Sequence, residues 1–292
     1  MDLSVILVNY KSRDPLMDSL AVLAAETSML ARETAGFAAE TVVVDNDSRD
    51  GTPEALAARF PAARLIANAE NAGYARAVNQ GIAATRGEFV LVMNPDCELK
   101  PGATRALLAY LRAQPRAAIA GPRILNPDGT LEYSARAFPD QLTFLFNRYS
   151  LLTRLFPGNR FSRRYLLTDW DHASVREVDW LSGACLMARR AAIEQVGGMD
   201  EAFFMFNEDV DWCRRMQLAG WANAYVPDAV VVHHIGASRR RVAPRVIVAR
   251  HRGMIHYFHK HHPTNPLLSA LADAFIYLRA GLMLAHNALK PR

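Results

Sequence analysis

The chain has 292 residues, 51% of them hydrophobic and 22% charged, with a formal net charge of +5. That balance belongs to a folded globular protein long enough to bury a large core, and it excludes a disordered, collagenous or coiled-coil chain. Its three cysteines, Cys97, Cys185 and Cys213, form no CxxC pair. A disulfide framework and a zinc knuckle are thereby removed, and a reducing compartment is expected.

The N-terminal run Leu3–Tyr10 (LSVILVNY) lacks the basic flank and cleavage site of a signal peptide and reads as a strand. Thr41–Asp45, Ala63–Ala67 and Glu88–Met93 read the same way. Between these runs helical spacing falls over Pro15–Arg32, Pro53–Arg59, Tyr74–Thr85 and Gly102–Ala113, with Thr52 as N-cap before Pro53. Such alternation predicts an α/β fold with a mainly parallel central sheet flanked by helices, and ligands of such sheets sit at the carboxyl ends of the strands. Those ends carry Asn9-Tyr10-Lys11, Asp45-Asn46-Asp47 and Asn94-Pro95-Asp96. Neither GxGxxG nor GxxxxGK[ST] occurs, which removes the main support for dinucleotide and P-loop readings.

Further along, Asn126-Pro127-Asp128-Gly129 predicts a hairpin turn between Arg123–Leu125 and Thr130–Tyr133. Val178–Arg189 reads as one buried strand, Glu208–Leu218 as a helix capped by Asn207, and Ala229–His234 as a last strand ending on two histidines. Pro266–Leu289 is apolar but interrupted by Asp273, Arg279 and His286, which argues against a membrane-spanning helix and for an amphipathic appendage. Charge is unevenly placed. Gln141–Leu167 holds five arginines and Ala237–His262 holds seven Arg or Lys, and neither stretch has an acid. An anionic partner at these segments is expected, with a solvated basic face or a tail packed on a second subunit as the other readings. No helix-turn-helix or RNA-binding signature accompanies them, so a nucleic-acid partner is not expected.

Several residues carry candidate chemistry. Asp45, closing a buried strand, can accept from a pyrimidine N3–H or a ribose hydroxyl with Asp47 beside it; equally, both can merely cap the turn. Asn71, Gly73 and Arg76 open a helix whose N-terminus attracts phosphate, or they form a solvated first turn. Asp96 ends an apolar strand as a hard ligand for Mg²⁺ or Mn²⁺. Glu208 and Asp209 follow the aromatic run Phe203–Phe206, where burial raises a carboxylate pKa and favours general-base work. Asp211 is expected to pair with Arg214 or Arg215.

Taken in order, SVILVNY, VVVDNDSRDGT, NAGYARAVNQG, VLVMNPD, WLSGACLMARR, GGMDEAFFMFNEDVDWCRR and VVVHHIGAS resemble glycosyltransferase family 2, inverting enzymes of GT-A fold, in its bacterial rhamnosyltransferase-like subgroup. The resemblance implies a GT-A domain over residues 1–240, with a nucleotide-binding half to about 120 and an acceptor-binding half beyond it, and a basic, amphipathic extension over 241–292. It implies a nucleotide-sugar pocket of Asn9, Tyr10, Asp45, Asp47, Asn71, Gly73, Arg76, Asn94 and Asp96. A divalent metal, Mg²⁺ or Mn²⁺, would sit on Asp96 and on His233 in its His-x-x-Gly-x-Ser context, with Asn94 leaving a single carboxylate where the family has Asp-x-Asp. Asp209 would be the catalytic base, with Glu208 supporting it, and Trp180, Ser182, Gly183 and Phe206 would face the acceptor. The implied activity moves a sugar, rhamnose in the subgroup, from a dTDP or UDP sugar to a lipid-linked surface glycan. The implied place is the cytoplasm, on the inner face of the plasma membrane. A non-catalytic nucleotide-sugar-binding relative and a sugar nucleotidyltransferase are the alternatives.

Overall fold

Four short apolar runs form parallel strands β1 (Leu3–Asn9), β2 (Ala39–Asp45), β3 (Arg64–Ala67) and β4 (Phe89–Met93) in a computed structural model describing residues 1–140, 159–234 and 243–289. Their spatial order is β3-β2-β1-β4, with Asn9 in register with Asp45. Helices α1 (Arg13–Glu33), α2 (Thr52–Arg59) and α3 (Tyr74–Ala83) make the crossovers. Along β1, Leu3, Val5 and Leu7 pack on Leu16, Leu20 and Leu23 of α1 and Leu56 of α2, whereas Ile6 and Val8 face Ala77 and Val78 of α3. Both faces are covered, as a parallel sheet requires.

The sheet becomes mixed after β4. The chain continues through β5 (Cys97–Leu99), α4 (Ala103–Ala113), β6 (Ala117–Leu125), β7 (Leu131–Glu132) and β8 (Ala135–Arg136). Then come α5 (Arg160–Leu166), β9 (Arg176–Glu177), β10 (Trp180–Leu181), β11 (Cys185–Arg189), α6 (Arg190–Val196), α7 (Glu208–Leu218) and β12 (Ala222–His233). Strand β11 runs antiparallel between β4 and β6, while β12 is parallel to β6 and antiparallel to β5. The Asn126–Gly129 turn closes the β6–β7 hairpin, with Leu125 opposite Leu131.

Three local expectations are corrected. Val178–Arg189 is two strands in two sheets: β10 pairs with β8, and β11 joins the main sheet. The break falls at Ser182–Ala184, where the Gly183 amide leaves the ladder and donates to Asp209. Gly51, at φ 80°, is the N-cap of α2 and Thr52 lies inside the helix. The Thr52 hydroxyl instead donates to Asp50 at 2.6 Å and accepts from Asn9. Asn207 holds the N-cap position of α7 at φ 69° but makes no side-chain capping bond; the carboxylates of Asp209 and Asp211 in the first turn complement the helix dipole in its place.

Helices α8 (Pro244–His261) and α9 (Pro266–Ala288) fold back on the domain. Tyr257 and Phe258 enter the core layer beside α7. The fully buried Asp211 accepts from Arg215 and Lys260 at 2.8 Å each and from His261 at 2.7 Å, so the expected Arg215 pair is also an anchor for α8. Helix α9 is long and apolar enough to cross a membrane by length and composition. Its Asp273 binds His259 at 2.8 Å and its Arg279 is turned into a cavity, so these two polar residues do not interrupt the outer face. That face presents Leu267, Leu268, Leu271, Leu278 and Leu282, each between 56% and 68% exposed.

Candidate active site

At the carboxyl ends of β1 and β2 the side chains of Asn9 and Asp45 meet. Asn9 Nδ2 donates to Asp45 Oδ1 at 2.8 Å, and Asp45 Oδ2 accepts the Ser48 amide at 3.1 Å. Both residues are buried, and Asn9 Oδ1 has no partner among the described residues. Tyr10 next to them accepts from Arg245 of α8, whose guanidinium lies 4.9 Å over the ring. That bond holds the phenol below its ordinary pKa, with burial opposing. Asp47 sits at φ 61° and pairs with Arg49 at 2.8 Å.

The opening of α3 is held by local contacts. Asn71 Oδ1 accepts the Gly73 amide at 3.0 Å, and Arg76 faces Glu201 at 3.9 Å. Gly73 sits at φ 88°, and a Cβ there would stand 2.6 Å from the Phe204 carbonyl oxygen. The next amide, Tyr74 N–H, donates to that same oxygen at 2.7 Å. The aromatic run is thus fixed onto the start of α3.

Pairing of β12 with β5 sets His233 opposite Cys97 and beside Asp96, whose carbonyl accepts the His234 amide at 2.8 Å. From α1, Ser19 donates to the carbonyls of Pro95 and Cys97 and pins the loop between them. Asp96 Oδ1 lies 3.3 Å from His233 Nε2, and Glu132 Oε2 lies 3.0 Å from His233 Nδ1. Burial alone would lower the imidazole pKa; Asp96 and Glu132 raise it to about 9. A carboxylate and an imidazole nitrogen suit Mg²⁺ or Mn²⁺, and Glu132 on the other ring nitrogen fixes the tautomer such a ligand needs. Asp96, Cys97 and His233 offer ligand atoms within 4.8 Å of one another. Burial pushes the Cys97 thiol well up, and it donates to the Ala184 carbonyl at 3.2 Å, so it is a poor ligand for a hard cation. Sequence reasoning missed Glu132. The available signal was an acid on the return strand of the Asn126–Gly129 hairpin.

Asp209 in the first turn of α7 accepts the Gly183 amide on Oδ2 and the Val210 amide on Oδ1, each at 2.9 Å. Burial raises its pKa, while these amides and the Arg136 charge favour the ionised form. Glu208 is pushed further up by burial and by the Asp209 charge, and its buried Oε2 has no partner among the described residues. No Glu208–Asp209 hydrogen bond occurs among the described residues. The pair therefore divides into a proton-holding Glu208 and a more readily ionised Asp209.

One cavity of about 580 Å³ is lined by Asn94 and His233 together with Glu208, Asp209, Trp180, Ser182, Gly183 and Phe206. Glu132, Arg136, Tyr165, Arg250 and Arg279 also line it and were not among the site residues expected from the sequence. Asn9, Tyr10, Asp45, Asp47, Asn71, Gly73, Arg76 and Asp96 are not among its walls, although Asp96 adjoins it through His233. Gly236, Ser238 and the basic residues at 141–158 and 239–241 lie outside the described residues.

A half-parallel sheet with acids at its strand ends and a carboxylate pair at a helix start is the GT-A arrangement. Residues 4–171 match the model described as glycosyl transferase family 2, and the chain belongs to that family and is a glycosyltransferase. It is similar to the N-acetylglucosaminyl-diphospho-decaprenol L-rhamnosyltransferase of Mycobacterium tuberculosis, 40% identical over 222 residues that cover 72% of this chain and 71% of that one. Solved structures share the fold at low identity. GalNAc-T7 with UDP, GalNAc and Mn²⁺ has a TM-score of 0.62 at 14% identity, over 89% of this chain and 48% of that one. A mannosyltransferase from Pyrobaculum calidifontis with GDP-Man and Mn²⁺ has a TM-score of 0.58 at 19% identity, over 98% and 72% of the two chains.

Proposed function

We propose that this glycosyltransferase moves a sugar, with inversion, from a dTDP or UDP sugar to a hydroxyl of a lipid-diphosphate-linked glycan. Rhamnose as the sugar and N-acetylglucosamine as the acceptor follow the Mycobacterium relative's name. The observation that carries the reading is that Asp209, Asn94 and His233 line the same cavity. Asp209, held by the Gly183 amide, takes the proton from the acceptor hydroxyl, and Glu208 keeps its own proton beside it. Trp180 and Phe206 offer aromatic walls to a sugar ring. Asn9 and Asp45 would read the base, Asn9 Oδ1, without a partner among the described residues, being a spare acceptor there. A divalent cation, when bound at Asp96 and His233, supplies positive charge for the departing diphosphate. In this reading residues 1–240 are the catalytic domain and 241–292 the extension, whose helix α9 rests its leucine face on the inner leaflet of the plasma membrane.

The test is a thermal-shift panel of dTDP, UDP, GDP and their sugars with and without Mn²⁺, followed by transfer to a short-chain N-acetylglucosaminyl-diphospho-prenol. A nucleotide at 100 times its Kd should add about 2.7 kcal/mol. The expected result is a Mn²⁺-dependent shift lost in Asp96→Ala, and a product of inverted anomeric configuration. Neither shift nor transfer with any donor would overturn the reading.

A further inference from the structure

The C-terminal helices contribute three side chains to the cavity from beyond the family match: Arg250 and Met254 of α8 and Arg279 of α9. The Arg250 guanidinium lies 4.3 Å over the ring of Phe206, just ahead of Glu208 and Asp209. Gly253 allows this approach, because a Cβ there would stand 2.9 Å from the Phe206 carbonyl oxygen. Arg279 reaches the same cavity from the inner side of α9. Burial first, and then the charge of Arg250, hold its pKa below the ordinary arginine value. Two guanidinium charges are therefore gathered near each other in a partly buried space beside the candidate base. The guanidinium fork of each matches phosphate oxygens, so a phosphate-bearing ligand that enters the cavity meets both.

Two diphosphates could enter this cavity. The donor's belongs beside His233 and its neighbour Asp96, whereas Arg250 lies over Phe206 just ahead of α7, where the acceptor must meet Asp209. Helix α9 adds an independent observation: the helix that turns Arg279 inward turns its leucines outward. A lipid diphosphate has an anionic group and an apolar chain, and α9 offers a surface to each.

We propose that Arg250 and Arg279 form the subsite for the acceptor's diphosphate, with its prenyl chain leaving along α9 toward the leucine face. The inference rests on the lipid-diphosphate acceptor proposed above. Its test measures binding to the full chain without donor, by tryptophan fluorescence. One probe is a short-chain N-acetylglucosaminyl-diphospho-prenol, and the second is octyl N-acetylglucosaminide, which lacks phosphate. The third is the nucleotide that stabilises the wild type, with Mn²⁺. Arg250→Gln and Arg279→Gln should each weaken the diphosphate probe about tenfold or more. Octyl glycoside and nucleotide affinities should change less than about twofold, and Arg279→Lys should recover part of the loss. Unchanged binding of the diphosphate probe overturns the subsite, and a parallel loss of nucleotide affinity reassigns the arginines to the donor. If Arg279→Gln does not fold, Arg250→Gln and Arg279→Lys decide. A wild type that ignores the diphosphate probe yet glycosylates a water-soluble acceptor overturns the lipid reading itself, and the subsite with it.

Discussion

Asp209 Oδ2 accepts the Gly183 amide hydrogen at 2.9 Å, the amide that leaves the sheet where β10 gives way to β11. The strand break and the positioning of the carboxylate are one event. A carboxylate held by main-chain amides keeps its orientation while its pKa rises with burial. Asp209→Asn retains shape and an acceptor for Gly183 but cannot take a proton. Transfer should fall by about 10³-fold, within the range for loss of a general base. Donor affinity, measured by calorimetry, should stay within about twofold, and an equal loss of donor binding would refute the role.

Glu208 gives a pH signature. Its folded-state pKa lies above the ordinary glutamate value of 4.5, so above that value the folded chain holds a proton the unfolded chain has released. Its contribution to stability is full below about 4.5 and is lost as pH rises through the folded pKa. Glu208→Gln removes this titration. The variant should gain in urea midpoint relative to wild type at pH 8, and gain less or lose at pH 5. An equal offset at both values would show that the buried carboxyl is not the titrating group.

The parallel half of the fold was legible because its strands are short apolar runs, three of the four ended by a polar triplet. Asp209 was legible as an acid behind an aromatic run. Less legible was anything set by pairing between distant strands. Glu132 meets His233 only because β6, which carries the hairpin, pairs with β12. Val178–Arg189 read as one strand because the break costs no hydrophobicity. Arg279 looked like an interruption of an apolar helix, since composition does not say which residues face inward.

Glu132 is expected to act through His233. With Gln there, the Nδ1 side loses its charged partner and Nε2 loses basicity, although the side chain still fits. Mn²⁺ affinity in the presence of nucleotide, followed by electron paramagnetic resonance, should fall about tenfold or more. Thermal stability should change little. Unaltered Mn²⁺ binding would remove Glu132 from the metal site.

Gly73 combines φ 88° with a Cβ position 2.6 Å from the Phe204 carbonyl. Gly73→Ala therefore meets both backbone strain and overlap, and a cost of at least about 2 kcal/mol is expected. Because Phe204 lies in the loop leading to Asp209, activity should fall beyond the loss of folded protein. Denaturant midpoints compared with turnover per folded molecule separate the two effects.

The outer face of α9 carries Leu267, Leu268, Leu271, Leu278 and Leu282, and none of these leucines is buried against the domain. Water contact along such a stripe is unfavourable by roughly 25 cal/mol per Å² of apolar surface, which a bilayer interface would recover. The protein should float with vesicles containing anionic lipid. Leu271→Lys with Leu278→Lys should abolish flotation, because each change sets a charge in the middle of the stripe. Both side chains are exposed, so melting temperature and nucleotide binding should remain at wild-type values. Transfer to a water-soluble acceptor should persist in the double variant, while transfer to acceptor embedded in vesicles should drop with flotation. Equal transfer in both formats would mean that the leucine face serves something other than a membrane.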